Sequence, residues 1–328
     1  MRSFVNQIPL FKFLQIPLLA LSLIGMPLFS YAAVFGADDR QPVQPASKFS
    51  QMATGTAIAL LTGNYKINGS GLIDLDTDLL DQFCPAENFY KSVSLSNACT
   101  GFLVAPELLV TAGHCLSAVN TPHQEIIHSS VNACQSFDWL FDYQIDNEGI
   151  AQTKNISRDK LFHCKEIIYA VQQEKSPYLD YALIKLDRPA LGRFTYKMTD
   201  IMTEGLGPSL SMMGFPFGLP LTRTAGARIL MNNPQRSSFI TNLNAFEGNS
   251  GSPVLDEQNH VVGILIAGNP QANTFVDPSL KCERWNFCDS IGDNCAKSDL
   301  DTTQFPSFQM TGSEVQRISP LIQLLKSQ

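Results

Sequence analysis

Cys99-Thr-Gly-Phe-Leu-Val-Ala-Pro-Glu-Leu-Leu-Val-Thr-Ala-Gly-His-Cys115 reads as two short apolar runs, Cys99 to Val104 and Leu108 to Thr111, joined by a turn. The small residues Ala112 and Gly113 let the chain turn at the end of the second run and present the His114 imidazole from a rigid place. A hairpin between the runs would bring Cys99 beside Cys115, and a bridge there would lock the histidine in position. Far downstream, Gly248-Asn-Ser-Gly-Ser-Pro253 sets Ser250 in a glycine-rich turn. Between the two lies Asp180, directly before the apolar run Ala182-Leu-Ile-Lys-Leu186. A serine hydroxyl is a poor nucleophile at neutral pH, and it needs an imidazole to take its proton and a carboxylate to hold that imidazole. His114, Asp180 and Ser250 are candidates for those three parts.

Working outward from the hairpin, the texture repeats. Apolar runs at Ala57 to Leu61, Ile167 to Val171 and Ala182 to Leu186 alternate with turn-forming residues. After a more open stretch, Asp187 to Pro208, a second series follows at Leu210 to Met213, Arg228 to Met231, Phe239 to Thr241, Pro253 to Leu255 and Val261 to Ile266. An all-β chain of two domains is expected, with His114 and Asp180 on residues 51–186 and Ser250 on residues 187–328. Lys281 to Phe305 breaks the pattern with cysteines among Asp, Asn and Ser, and reads as a stapled surface insertion, residues 281–305. Val315, Ile318, Leu321, Ile322 and Leu325 fall at spacings of three and four, which predicts a short amphipathic helix closing the chain. Pro320 would kink that helix unless the helix starts there.

The chain has 328 residues, 44% of them apolar, enough for one large core or two of ordinary size. Residues 1–32 join Arg2 and Lys12 to an apolar run from Phe13 to Phe29 and then to small residues, the shape of a secretory signal peptide cut after Ala32. A membrane anchor is the alternative; Pro17, Gly25 and Pro27 favour cleavage. Residues 33–50 read as an extended arm or short pro-segment. All eight cysteines follow the signal, and an even count in an exported chain points to disulfides. Cys134 is expected to pair with Cys164, and Cys84 with one of Cys282, Cys288 and Cys295, the other two bridging locally. The net charge of −7 becomes −9 without Arg2 and Lys12, which argues against nucleic acid as a partner. The mature chain is therefore expected outside the cytoplasm, extracellular or periplasmic, as a monomer with no stable membrane association. No metal or cofactor is expected: His123 and His128 are five residues apart and would not share a helical face, and the cysteines lack zinc-site gaps.

Taken in order, Cys99-Thr-Gly-Phe-Leu-Val, Thr-Ala-Gly-His-Cys, Asp180-Tyr-Ala-Leu-Ile-Lys-Leu and Gly-Asn-Ser-Gly-Ser-Pro-Val resemble the trypsin-like serine peptidases. Gly214-Phe-Pro216, Asn249 and the early Asp38-Asp39-Arg40 look like the bacterial secreted branch that includes the glutamyl endopeptidases. The resemblance implies a chymotrypsin-like fold of two packed six-stranded antiparallel β-barrels, and protein or peptide substrates. It makes Ser250 the nucleophile, His114 the general base and then acid, and Asp180 the carboxylate that fixes the imidazole tautomer. The backbone N–H groups of Gly248 and Ser250 would form the oxyanion hole. Asp138 and Asp142, flanking the aromatic run Trp139 to Phe141, rival Asp180 but do not match the family's pattern.

Departures from the family's pattern carry expectations of their own. Asn249 stands where the best-known members have an Asp that pairs with a new N-terminal ammonium, so activity is expected to depend little on the exact N-terminus. Ile266 stands where a serine often supports the carboxylate, and Leu265 where a glutamyl endopeptidase has a pocket histidine. The pocket residues implied are Asn244 and Ala245 at the base and Gly268 at the mouth; all are uncharged, so a small, apolar or neutral polar residue is expected before the cut bond. The competing reading is a catalytically silent relative that binds proteins through the same cleft. A non-peptide ester hydrolase is a third, although Ser250 is followed by Gly-Ser-Pro-Val and not by the residues of a lipase elbow.

Overall fold

The computed structural model describes residues 33–96, 99–117, 131–173, 177–200, 209–268, 274–292, 294–296 and 312–327. The signal segment 1–32, His123, His128 and residues 297–305 of the insertion lie outside the described residues.

Successive side chains of a strand point to opposite faces, so an unbroken apolar run implies cover on both sides. In Asp180–Leu186, Ala182 and Ile184 join Ala57, Leu109, Trp139 and Phe141 in one core. Leu183 joins Ile58, Phe102 and Val110 in another, which takes in Met213, Phe215, Leu255 and Ile264 from the other half of the chain. Six strands close into a barrel in the order Phe137–Phe141, Leu161–Gln172, Asp180–Leu186, Leu108–Thr111, Cys99–Ala105, Thr56–Leu61. Antiparallel pairing of Ala182 with Thr111 sets the start of one strand beside the end of the other, which is where Asp180 and His114 lie.

The main sheet of the second half of the chain has a separate core of Leu210, Met212, Phe239, Val254, Val262 and Val315. Its order is Ile229–Met231, Ser238–Thr241, Ser313–Arg317, Val261–Ala267, Pro253–Leu255, Leu210–Gly214, Thr222–Ala227, Gln41–Pro42. The chain is thus all-β, with a closing helix at Ser319–Lys326. This second unit is an eight-stranded sheet instead of the expected six, with the N-terminal arm supplying the edge strand Gln41–Pro42.

Val315 was expected on the closing helix but lies in the strand Ser313–Arg317, paired with Phe239 and Leu265. Pro320 sits in the helix's first turn, where its missing N–H costs nothing, and this sets the helix start downstream of Val315. The four disulfides are Cys84–Cys282, Cys99–Cys115, Cys134–Cys164 and Cys288–Cys295. The cysteine-rich segment does more than decorate the surface. Phe287–Cys288 pairs with the arm strand Val34–Phe35, and Trp285 is buried against Phe83.

Candidate active site

His114 opens a single helical turn directly after the strand Leu108–Thr111. Its Nδ1–H donates to Asp180 Oδ2 at 2.7 Å, and its backbone N–H donates to Asp180 Oδ1 at 2.9 Å. One carboxylate thereby fixes both the ring and the chain that carries it. Gly113 makes this approach possible: a Cβ there would collide with the Val171 carbonyl oxygen and lie 3.1 Å from Asp180 Oδ1. Burial pushes the His114 imidazole toward the neutral form, but the charge and hydrogen bond of Asp180 outweigh it and hold the ring's pKa above the ordinary histidine value.

Ser250 comes to the same hairpin from the second sheet. Its carbonyl oxygen accepts from Thr100 N–H at 2.7 Å and lies 3.7 Å from Cys115 Sγ, so the Cys99–Cys115 bridge abuts the serine's own peptide. Gly248 and Gly251 flank it with φ of 90° and 88°, the left-handed region that makes this turn tight and costs other residues strain. The Gly248 carbonyl is held by Thr100 Oγ1 at 2.8 Å. Cys99, His114 and Cys115 are close enough together to ligate a metal ion, but both sulfurs are spent in the disulfide, leaving one donor.

The two rival carboxylates have other partners. Asp138 accepts from Tyr65 Oη–H and His163 Nδ1, each at 2.5 Å, and Asp142 pairs with Arg193 at 2.8 Å. Asn244 and Ala245 are buried, at 4% and 0% exposure, and Gly268 follows the strand Val261–Ala267. The Asn244 amide is fully engaged by the arm: it accepts from Phe35 N–H at 2.6 Å and donates to Ala37 O at 3.2 Å and Asp39 Oδ1 at 2.5 Å. Arg40, its side chain wholly buried, closes the arm over Phe246 and Trp285 at 4.1 and 4.2 Å from the ring centres. The arm thus ends on Asn244, while the Asn249 side chain is buried with neither polar atom hydrogen-bonded.

Sequence reasoning missed Gln316. Wholly buried on Ser313–Arg317, it accepts from Asp180 N–H at 3.0 Å and donates to Ser237 O at 2.8 Å, tying the carboxylate's backbone in the barrel to the second sheet. Ile266 has no hydroxyl to offer Asp180, and Gln316 is the side chain that holds the Asp180 backbone N–H. A lone glutamine in an apolar strand is a weak signal, since its partners are 136 and 79 residues away.

A family model described as a trypsin-like peptidase domain matches residues 99–264, the span from the first hairpin cysteine to the strand beyond Ser250. The chain belongs to this family. Solved structures similar to this trypsin-like chain include a Glu endopeptidase in complex with MPD, at 18% identity over 73% of this chain and 89% of that one, TM-score 0.43. Deg5 is similar at 16% identity, over 67% and 82%, TM-score 0.40. The VesB protease of Vibrio cholerae is similar at 12% identity, over 88% and 66%, TM-score 0.47. No curated protein matches the chain.

Proposed function

We propose that this trypsin-like chain is a secreted serine endopeptidase that works through an acyl-enzyme. The observation that carries the reading is the double grip of Asp180 on His114 beside the turn that holds Ser250. With Nδ1–H committed to the carboxylate, the other ring nitrogen would serve as the base. It takes the Ser250 hydroxyl proton as Oγ adds to the substrate carbonyl, then gives that proton to the leaving amine; water, activated the same way, releases the acyl group. Backbone N–H groups of Gly248 and Ser250 would hold the oxyanion, and one such donor contributes about 2.7–4 kcal/mol of transition-state stabilisation. Four disulfides support export, and no helix among the described residues is long and apolar enough to cross a membrane.

The neutral base of the pocket, Asn244 and Ala245, supports a small, apolar or neutral polar residue before the cut bond, in a monomeric enzyme acting on protein or peptide substrates. Cleavage of a mixed peptide library with mapped sites tests both activity and pocket. Cuts after such residues, lost in Ser250→Ala, are expected. A dominant Arg or Glu preference would show that the pocket is built from other residues, and an intact, folded chain that cuts nothing would favour a silent binding relative.

A further inference from the structure

A cavity of about 250 Å³ lies in the second sheet, and none of the candidate active-site residues lines it. One wall is Phe49, with two cations over its ring: the Arg223 guanidinium carbon is 4.1 Å and the Lys48 ammonium 5.0 Å from the ring centre. Arg223 is partly buried. Its Nε is sealed from solvent without a partner, and the guanidinium makes no hydrogen bond or ion pair among the described residues. Burial depresses its pKa below the ordinary arginine value, opposed by the charge of Asp39, yet arginine stays protonated in proteins.

The nearby carboxylates are occupied. Asp39 accepts from Asn244 Nδ2 and Ala225 N–H, Asp256 from the N–H groups of Gln258 and His260, and Glu257 from Ser209 N–H. A guanidinium whose Nε is shut off from water and whose planar fork of donors is unused by the protein is matched best by a flat, two-oxygen acceptor. Asp256 and Glu257, on the same cavity, penalise every extra negative charge, which disfavours a phosphate carrying more than one.

We infer that this cavity binds a monoanionic carboxylate, gripped by Arg223 with Lys48 as the second cation. Asp256 directly follows the short strand Pro253–Leu255 that runs on from the Ser250 turn, so an occupant would sit at the far end of that strand from the serine. The site does not depend on the hydrolytic reading.

The test uses the full chain carrying Ser250→Ala, titrated with N-acetyl-Ala-Ala, with its C-terminal amide, and with inorganic phosphate. Heat of binding and backbone amide shifts at Arg223 and Ala225 are followed. The free acid should bind and move those amides, the peptide amide should bind at least about tenfold more weakly, and phosphate more weakly than the acid. Arg223→Met should lose acid binding; in the Ser250-containing chain it should leave peptide hydrolysis unchanged. Equal binding of acid and amide, tighter binding of phosphate, retained acid binding in Arg223→Met, or no binding of the acid would each overturn the assignment. The acid and amide comparison uses a single folded protein, so it decides the matter even where Arg223→Met fails to fold.

Discussion

Replacing Gln316 with alanine would cut the brace between the two halves of the molecule at the carboxylate that holds His114. The substitution strands Asp180 N–H, which loses its partner at 3.0 Å, while Ser237 O loses the 2.8 Å bond from Gln316 but keeps the one from Arg317 N–H. Leaving one buried polar group unpaired costs about 1–3 kcal/mol. Partial rehydration of the space the side chain leaves offsets some of this, so a net loss of about 2 kcal/mol is expected. For a chain of this size that lowers the melting temperature by roughly 3 °C. Asp180 keeps both bonds to His114 but loses its tether, and kcat should fall about tenfold with KM little changed, equivalent to about 1.4 kcal/mol. Gln316→Glu is the discriminating variant: it keeps an acceptor for Asp180 N–H but adds a negative charge nearby, which should raise the imidazole pKa and move the acid limb of the rate profile upward. Thermal unfolding by calorimetry and pH–rate profiles on a peptide ester read these effects. Should Gln316→Ala melt and turn over like the parent, the brace is a bystander and the reasoning fails.

Other predictions come from the same geometry. Because Asp180 holds the His114 pKa above its ordinary value of about 6.5, and catalysis needs the neutral ring, kcat/KM should rise with pH through a midpoint above 6.5. The same raised pKa stabilises the folded chain fully below about pH 6.5, a contribution lost as pH climbs through the folded-state value. Asp180→Asn should remove that dependence and lower kcat about 10⁴-fold, measured by pH-resolved unfolding and turnover. Deleting the arm so that the chain begins at Ser47 takes every partner from the buried Asn244 side-chain amide and should lower the melting temperature and cut turnover at least about tenfold, whereas starts at Ala33 and Val34 should behave alike. Equal turnover from all three would show that the arm does not shape the site.

The hairpin, the strand that delivers Asp180, the turn around Ser250 and the Cys99–Cys115 pairing were legible because each is local: alternation, small residues and spacing carry them. Val315 reads as helical because it falls in phase with the helix behind it, and periodicity alone does not see the Phe239 and Leu265 pairings that claim it for a strand. The arm's role was invisible for a different reason. Asn244 reads as a pocket floor by its distance from Ser250, while its actual partners come from residues more than two hundred positions earlier. Gln316 shares that obscurity, since a polar residue at a buried strand position declares a partner but not which one.

The central claim is that His114, held by Asp180, turns Ser250 into a nucleophile. Treating the folded chain with a fluorophosphonate and mapping the adduct by mass spectrometry tests it most directly. One adduct on Ser250 is expected, absent in Ser250→Ala and slowed at least about a hundredfold in His114→Ala. An adduct on another residue, or none from the folded parent chain, would contradict it.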